Sequence, residues 1–109
     1  IYDEVLAKLI AAYKQVEKKI GDPTDPANLM GPLNSSDAVD AYLDAVAKAK
    51  ASGGKIETGG ARIERPGNFV LPTIVTGLAN SAEVVQTETF APILYVMKYS
   101  TLDEAIELQ

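Results

Sequence analysis

The sequence predicts an α/β fold, with helices packed on a small sheet. Three observations carry the prediction. The first half holds two long stretches whose apolar residues recur at spacings of three and four. The second half breaks into short runs rich in β-formers and punctuated by glycine and proline. A capping box then opens a final helix. Helix, helix, strands, strand, helix is an order that suits an α/β layer better than an all-α or all-β fold.

Ile1 to Ile20 carries Tyr2, Val5, Leu6, Leu9, Tyr13, Val16 and Ile20 on one helical face. Asp3 and Glu4 lie at the positive end of its dipole and Lys18 and Lys19 at the negative end. Gly21 is the expected stop, and Pro23 and Pro26 prevent resumption. A connection through Gly31-Pro32-Leu33 leads to a second helix, Asp37 to about Ala51, capped by Ser35 or Ser36. Its apolar stripe is Val39, Tyr42, Leu43 and Val46, expected to face the core.

Lys55 to Thr58 reads as a short strand ended by a turn at Gly59-Gly60. No phosphate-binding glycine pattern surrounds that pair. Ala61 to Glu64 is expected to extend a hairpin around Pro66-Gly67-Asn68. Phe69 to Thr76 is strand-like, and Pro72, which has no amide donor, places it at an edge or a bulge. A helical turn from Asn80 or Ser81 through Gln86 follows. Ile93 to Met97 is the most apolar run and reads as a strand buried on both faces. Thr101-x-x-Glu104 is the capping box. Ile1 is no N-cap and no stop signal precedes Gln109, so both ends are expected to be truncated, and residues 1–109 to form part of one domain.

Composition limits function. Apolar residues make up 47% and charged residues 23%, and the net charge is −5 with no basic cluster, which argues against nucleic-acid or anionic-membrane binding. No apolar run is long enough to span a bilayer, so a cytoplasmic location is the simplest expectation. With no Cys and no His, thiol nucleophiles, imidazole bases and the usual zinc ligands are excluded. No metal site and no catalytic residue is expected within these residues.

The stretch that singles itself out is Thr87-Glu88-Thr89-Phe90-Ala91-Pro92, an acid and an aromatic at the mouth of the apolar strand. Binding residues of α/β proteins lie in such places. A loop acid beside a core phenylalanine explains the same pattern.

Gly31-Pro32-Leu33, Gly59-Gly60, Gly67-Asn68-Phe69, Pro72-Thr73 and Glu88-Thr89-Phe90-Ala91-Pro92, in this order and spacing, resemble the aldehyde dehydrogenase superfamily. The Thr-Glu-Thr-Phe-Ala-Pro form followed by Ile93-Leu94-Tyr95-Val96 is similar to its α-aminoadipic semialdehyde dehydrogenase (antiquitin-like) branch. The resemblance implies a partial catalytic domain. It also implies oxidation of an aldehyde, expected to be an amino-acid-derived semialdehyde, to a carboxylate, with NAD or NADP as cofactor. The family nucleophile is a cysteine, and this chain has none, so these residues by themselves are expected to be inactive. Glu88 matches the family glutamate that accepts from the nicotinamide-ribose hydroxyls, and Phe90 the aromatic packed beside that ribose. In many relatives the second helix presents a Gln and a Lys near the ribose; the aligned positions here are Ala38 and Ala41, so that contact is not carried over.

The resemblance implies a homo-oligomer for the whole protein, and the isolated chain is expected to self-associate through uncovered apolar surface. Two other readings stay open. One is a non-catalytic α/β interaction module, which the absence of Cys and His favours. The other is a phosphorylating semialdehyde or glutamyl-phosphate reductase within the same superfamily.

Overall fold

A computed structural model describes residues 1–109. Its elements are α1 (Tyr2–Glu17), α2 (Ser36–Ala51), β1 (Lys55–Thr58), β2 (Thr73–Thr76), α3 (Glu83–Gln86), β3 (Ile93–Val96) and α4 (Leu102–Leu108). The α/β class expected from the sequence is the one observed.

Ser35 sets the start of α2. Its extended backbone lets the hydroxyl accept from the Ala38 amide at 3.2 Å, satisfying one of the orphan donors of the first turn. The helix buries Val39, Tyr42, Ala45, Val46 and Ala49 against the sheet. Leu43, expected in that stripe, is 37% exposed instead. Ala45 and Ala49 take its place because their small side chains let the helix lie close on the strands. A stripe drawn from large apolar residues does not show that.

The sheet runs β1-β2-β3, with β1 antiparallel and β3 parallel to β2. Two expectations change places here. The strand after Pro72 is the central one, and all four of its residues are buried. The apolar strand at Ile93 is the outer one, and its residues are half-buried. It pairs on one side only, so its other edge and part of its surface lie open. Pro72 costs the sheet nothing, because β2 begins one residue later and the Thr73 amide donates to the Pro92 carbonyl at 2.8 Å. The ladder irregularity falls in β1, where the register shifts between Ile56 and Thr58. Ala61 to Glu64 does not form a strand; only an isolated bridge joins Arg62 to Val70.

Strand alternation gives the sheet two faces. Thr73 and Val75 point to α2. The Tyr42 hydroxyl donates to the Leu71 carbonyl at 2.8 Å and lies 2.7 Å from Thr73 Oγ1. Thr73 Oγ1 also accepts from the Gly60 amide at 2.8 Å. This knot fixes the Gly59-Gly60 turn onto the start of β2. Gly59 has φ +77°, and a Cβ there would collide with the Pro72 carbonyl oxygen.

The other side of the sheet carries α1, tied by Thr58 Oγ1 to Glu17 Oε1 at 3.3 Å and Tyr2 Oη to the Val96 carbonyl at 3.4 Å. This helix is shorter than its pattern implies. It stops at Glu17, before Gly21, and Ile20 leaves it to bridge with Met30. None of its residues is buried, and Val5 is largely exposed. Arg65 stacks on the Phe69 ring at 3.8 Å and donates to the Ile20 carbonyl at 2.9 Å, holding the proline-glycine turn against the end of α1. In α4, Thr101 Oγ1 accepts from the Glu104 amide at 3.2 Å, while Glu104 reaches back to the Ser100 amide at 2.7 Å. No helix is long and apolar enough to cross a membrane.

Candidate functional site

Backbone hydrogen bonds hold the residues on either side of Glu88 and of Phe90 in the segment after α3. The Thr87 amide and hydroxyl both donate to the Glu83 carbonyl, at 3.0 and 2.8 Å, and close the helix. Two three-residue turns follow: the Ala91 amide donates to Thr89 at 2.7 Å and the Ile93 amide to Ala91 at 2.8 Å. Ala91 packs on the core around Val39, Tyr42, Val46 and Val70. Phe90 sits at the apex of the first turn with its backbone held on both sides, so its ring projects outward and is 84% exposed. The explanation of Phe90 as a core residue therefore does not hold for this chain. Glu88, two residues earlier, is also exposed and joins no ion pair.

Glu88 and Phe90 line one groove of about 390 Å³ between α2, α3 and the 87–90 segment. Ligand pockets begin at about this size. Ala41, Ala45 and Ala51 form much of its α2 wall, with Val84 on the α3 side. Its charged lining consists of Asp44, Lys48, Glu83 and Glu88. Lys48 Nζ lies 2.8 Å from Asp44 Oδ2 one helical turn away. That hydrogen bond, the Asp44 charge and, more weakly, the Glu83 charge hold the Lys48 ammonium above its ordinary range.

The groove offers acceptors, an aromatic face and small side chains that allow close approach. Its hydroxyls, from Ser52, Thr87 and Thr89, have no histidine to activate them. No group of His, Cys, Asp and Glu side chains is arranged to hold a metal ion. The arrangement can bind and orient a ligand; it has no evident means of attacking one.

Of the residues singled out in the sequence, Glu88 and Phe90 come together here, and so does Ala41, while Ala38 does not line the groove. Asp44, Lys48 and Glu83 were missed. A signal for the α2 wall existed: Ala41, Ala45, Lys48 and Ser52 recur at helical spacing beside the core stripe. Nothing local marked Glu83, whose place depends on α3 folding against α2.

An α/β layer with an open groove beside the sheet, lined by Glu88 and Phe90, is the class that fold and site define. The chain belongs to the aldehyde dehydrogenase family, whose family model matches residues 1–109. It is 58% identical over 108 residues to an aldehyde dehydrogenase family 7 member A1 homologue of Caenorhabditis elegans, covering 99% of this chain and 20% of that one. It is 51% identical over 104 residues to the α-aminoadipic semialdehyde dehydrogenase of Bos taurus, covering 95% and 19%. Among solved structures it is similar to a point mutant of the betaine aldehyde dehydrogenase of Staphylococcus aureus in complex with NAD⁺. That similarity has TM-score 0.93 and 34% identity, over 99% of this chain and 22% of that one. An aldehyde dehydrogenase of Bacillus cereus, in its NAD⁺ complex, matches with TM-score 0.91 and 29% identity over 98% and 21%. The chain thus spans about one fifth of the length of the relatives it matches.

Proposed function

We propose that these residues are part of the catalytic domain of an NAD-dependent aldehyde dehydrogenase, and that their groove holds the nicotinamide ribose of the cofactor. The observation that carries the reading is the shared placement of Glu88 and Phe90: an exposed carboxylate without an ion-pair partner and an exposed ring, both on one groove and both flanked by hydrogen-bonded residues. Two of the similar solved structures are NAD⁺ complexes, which supports a nicotinamide cofactor. A relative named for α-aminoadipic semialdehyde favours an amino-acid-derived semialdehyde as substrate.

The residues fit the group they would hold. A carboxylate has two acceptor oxygens, suited to the two vicinal hydroxyls of a ribose, and such bonds are charge-assisted. The Phe90 ring gives the sugar and the attached ring an apolar face. The alanines of α2 leave room for both. When bound, the cofactor supplies the acceptor for a hydride. The part played by Glu88 is alignment, since that transfer needs the reacting atoms held close and in line. The thiol that the family uses as nucleophile is not among residues 1–109.

Glu88→Gln in the full-length enzyme tests this. The change keeps the shape and removes the charge and one acceptor. We expect hydride transfer about tenfold slower or more, a loss of at least about 1.4 kcal/mol in transition-state stabilisation, with the melting temperature unchanged. Pre-steady-state NADH formation with deuterated aldehyde isolates that step. A wild-type hydride rate with a lowered melting temperature would make Glu88 a structural residue and end the assignment.

A further inference from the structure

The groove carries more negative charge than holding a ribose requires. Asp44 and Lys48 neutralise one another at 2.8 Å. Glu88 is spoken for by the ribose in the reading above. Glu83 then remains as a carboxylate on the groove wall that makes no direct ion pair and reaches Lys48 only by a weaker, longer-range attraction. It stands on α3, opposite the α2 wall from which Lys48 rises. The groove runs about 15 Å along α2, from Ala41 to Ala51, and Glu83 and Glu88 both line it, so a ring seated between them lies within about one Debye length of Glu83.

We infer that Glu83 biases this groove toward the oxidised, cationic form of the nicotinamide ring over the reduced, neutral form; the inference rests on the cofactor reading above. The oxidised ring carries one positive charge and the reduced ring none, while the sugars and phosphates are common to both. A ratio of the two affinities therefore cancels everything except what the groove charge does at the ring. A single carboxylate within this distance, in the high dielectric of an open groove, is worth about two- to fivefold in that ratio. The sign follows from charge alone. Glu83 raises the affinity of the form that enters the oxidation and leaves that of the spent form unchanged, so it helps exchange one for the other. It acts through the field and makes no bond to the ligand, which makes it a positioning and selectivity residue and leaves catalysis to other groups.

The test is direct titration of the full-length protein with NAD⁺ and with NADH, by calorimetry and by quenching of intrinsic fluorescence, at low and at high ionic strength. For Glu83→Gln the ratio Kd(NADH)/Kd(NAD⁺) should fall about two- to fivefold, and Glu83→Asp should restore it. Lys48→Met removes the groove's lone cation and unmasks Asp44, so the ratio should rise by a similar factor. High salt should shrink both changes. A purely structural role for Glu83 would shift neither the ratio nor its salt dependence. An unchanged ratio in Glu83→Gln and Lys48→Met, with Glu88→Gln still slowing hydride transfer, overturns the inference and leaves the cofactor site in place. If Glu88→Gln alters neither the affinity for the two forms nor the hydride rate, the groove is not the cofactor site and both proposals fall.

Discussion

Tyr42 and Phe90 are both aromatic residues set beside a polar group, and they stand in opposite circumstances. Tyr42 is 0% exposed, and its hydroxyl meets the Leu71 carbonyl and Thr73. Burial pushes its phenol above the ordinary range, and the Thr73 bond pulls it part of the way back. Phe90 is 84% exposed and Glu88 beside it joins no ion pair. The first pair has its partners inside the chain; the second has hydrogen-bonded neighbours along the backbone and side chains without partners. Rigid backbone under unpartnered side chains is what a binding site needs, because little ordering remains when a ligand arrives. The contrast separates residues that make the fold from residues that the fold presents.

The sharpest way to break the contrast is to truncate each aromatic. Tyr42→Ala should destabilise by about 3–5 kcal/mol, from lost transfer energy, a cavity and orphaned partners. Urea denaturation reads this, and a cost under about 1 kcal/mol would show that the fold does not depend on the knot. Next comes the turn that the knot holds. Gly59→Ala should cost more than about 2 kcal/mol, because φ +77° is strained for alanine and the added carbon meets the Pro72 carbonyl. Gly53, also at positive φ but with open space where a Cβ would sit, should lose less on the same change. The difference between the two melting temperatures isolates the collision.

Tyr95 sharpens the comparison from the outer strand, where it packs against the core. Its hydroxyl is the one buried side-chain polar atom without a partner, and burial raises its pKa. Removing an unsatisfied group is unlike removing a bonded one, so Tyr95→Phe should be neutral or stabilising by up to about 1 kcal/mol. A clear loss of stability would show that the hydroxyl has a partner in solution. The smallest effect belongs to Phe90. Phe90→Ala should change stability by less than about 0.5 kcal/mol, as for other exposed positions, while weakening cofactor binding. A drop in melting temperature comparable to that of Tyr42→Ala would make Phe90 a packing residue and erase the distinction.

Much of this was legible in the residues themselves. A cap at Ser35 or Ser36, the α2 end near Ala51 and the Thr101-x-x-Glu104 box are local signals, decided within a few residues by hydrogen bonds the chain makes to its neighbours. The pair Glu88 and Phe90 was also legible, as a motif whose spacing a single strand-leading loop preserves. Their grouping on one groove was expected only from the resemblance.

Other features required the tertiary structure. Hydropathy marks Ile93–Met97 as the most apolar strand, yet the central strand is Thr73–Thr76, because strand order depends on which edges pair and that is set between distant segments. The pattern carried α1 to Ile20, but Ile20 is drawn off to bridge with Met30. Leu43 lost its expected place to Ala45 and Ala49, because closeness of approach to a sheet depends on both surfaces. Asp44, Lys48 and Glu83 carry no local mark of function; they become a charged lining only when α3 packs beside α2. The sequence by itself determined most of the elements and the candidate binding pair Glu88 and Phe90, since both follow from near neighbours and side-chain chemistry. Which strand is central, which helix face is buried and which charges share a groove were decided by contacts between residues far apart in the chain.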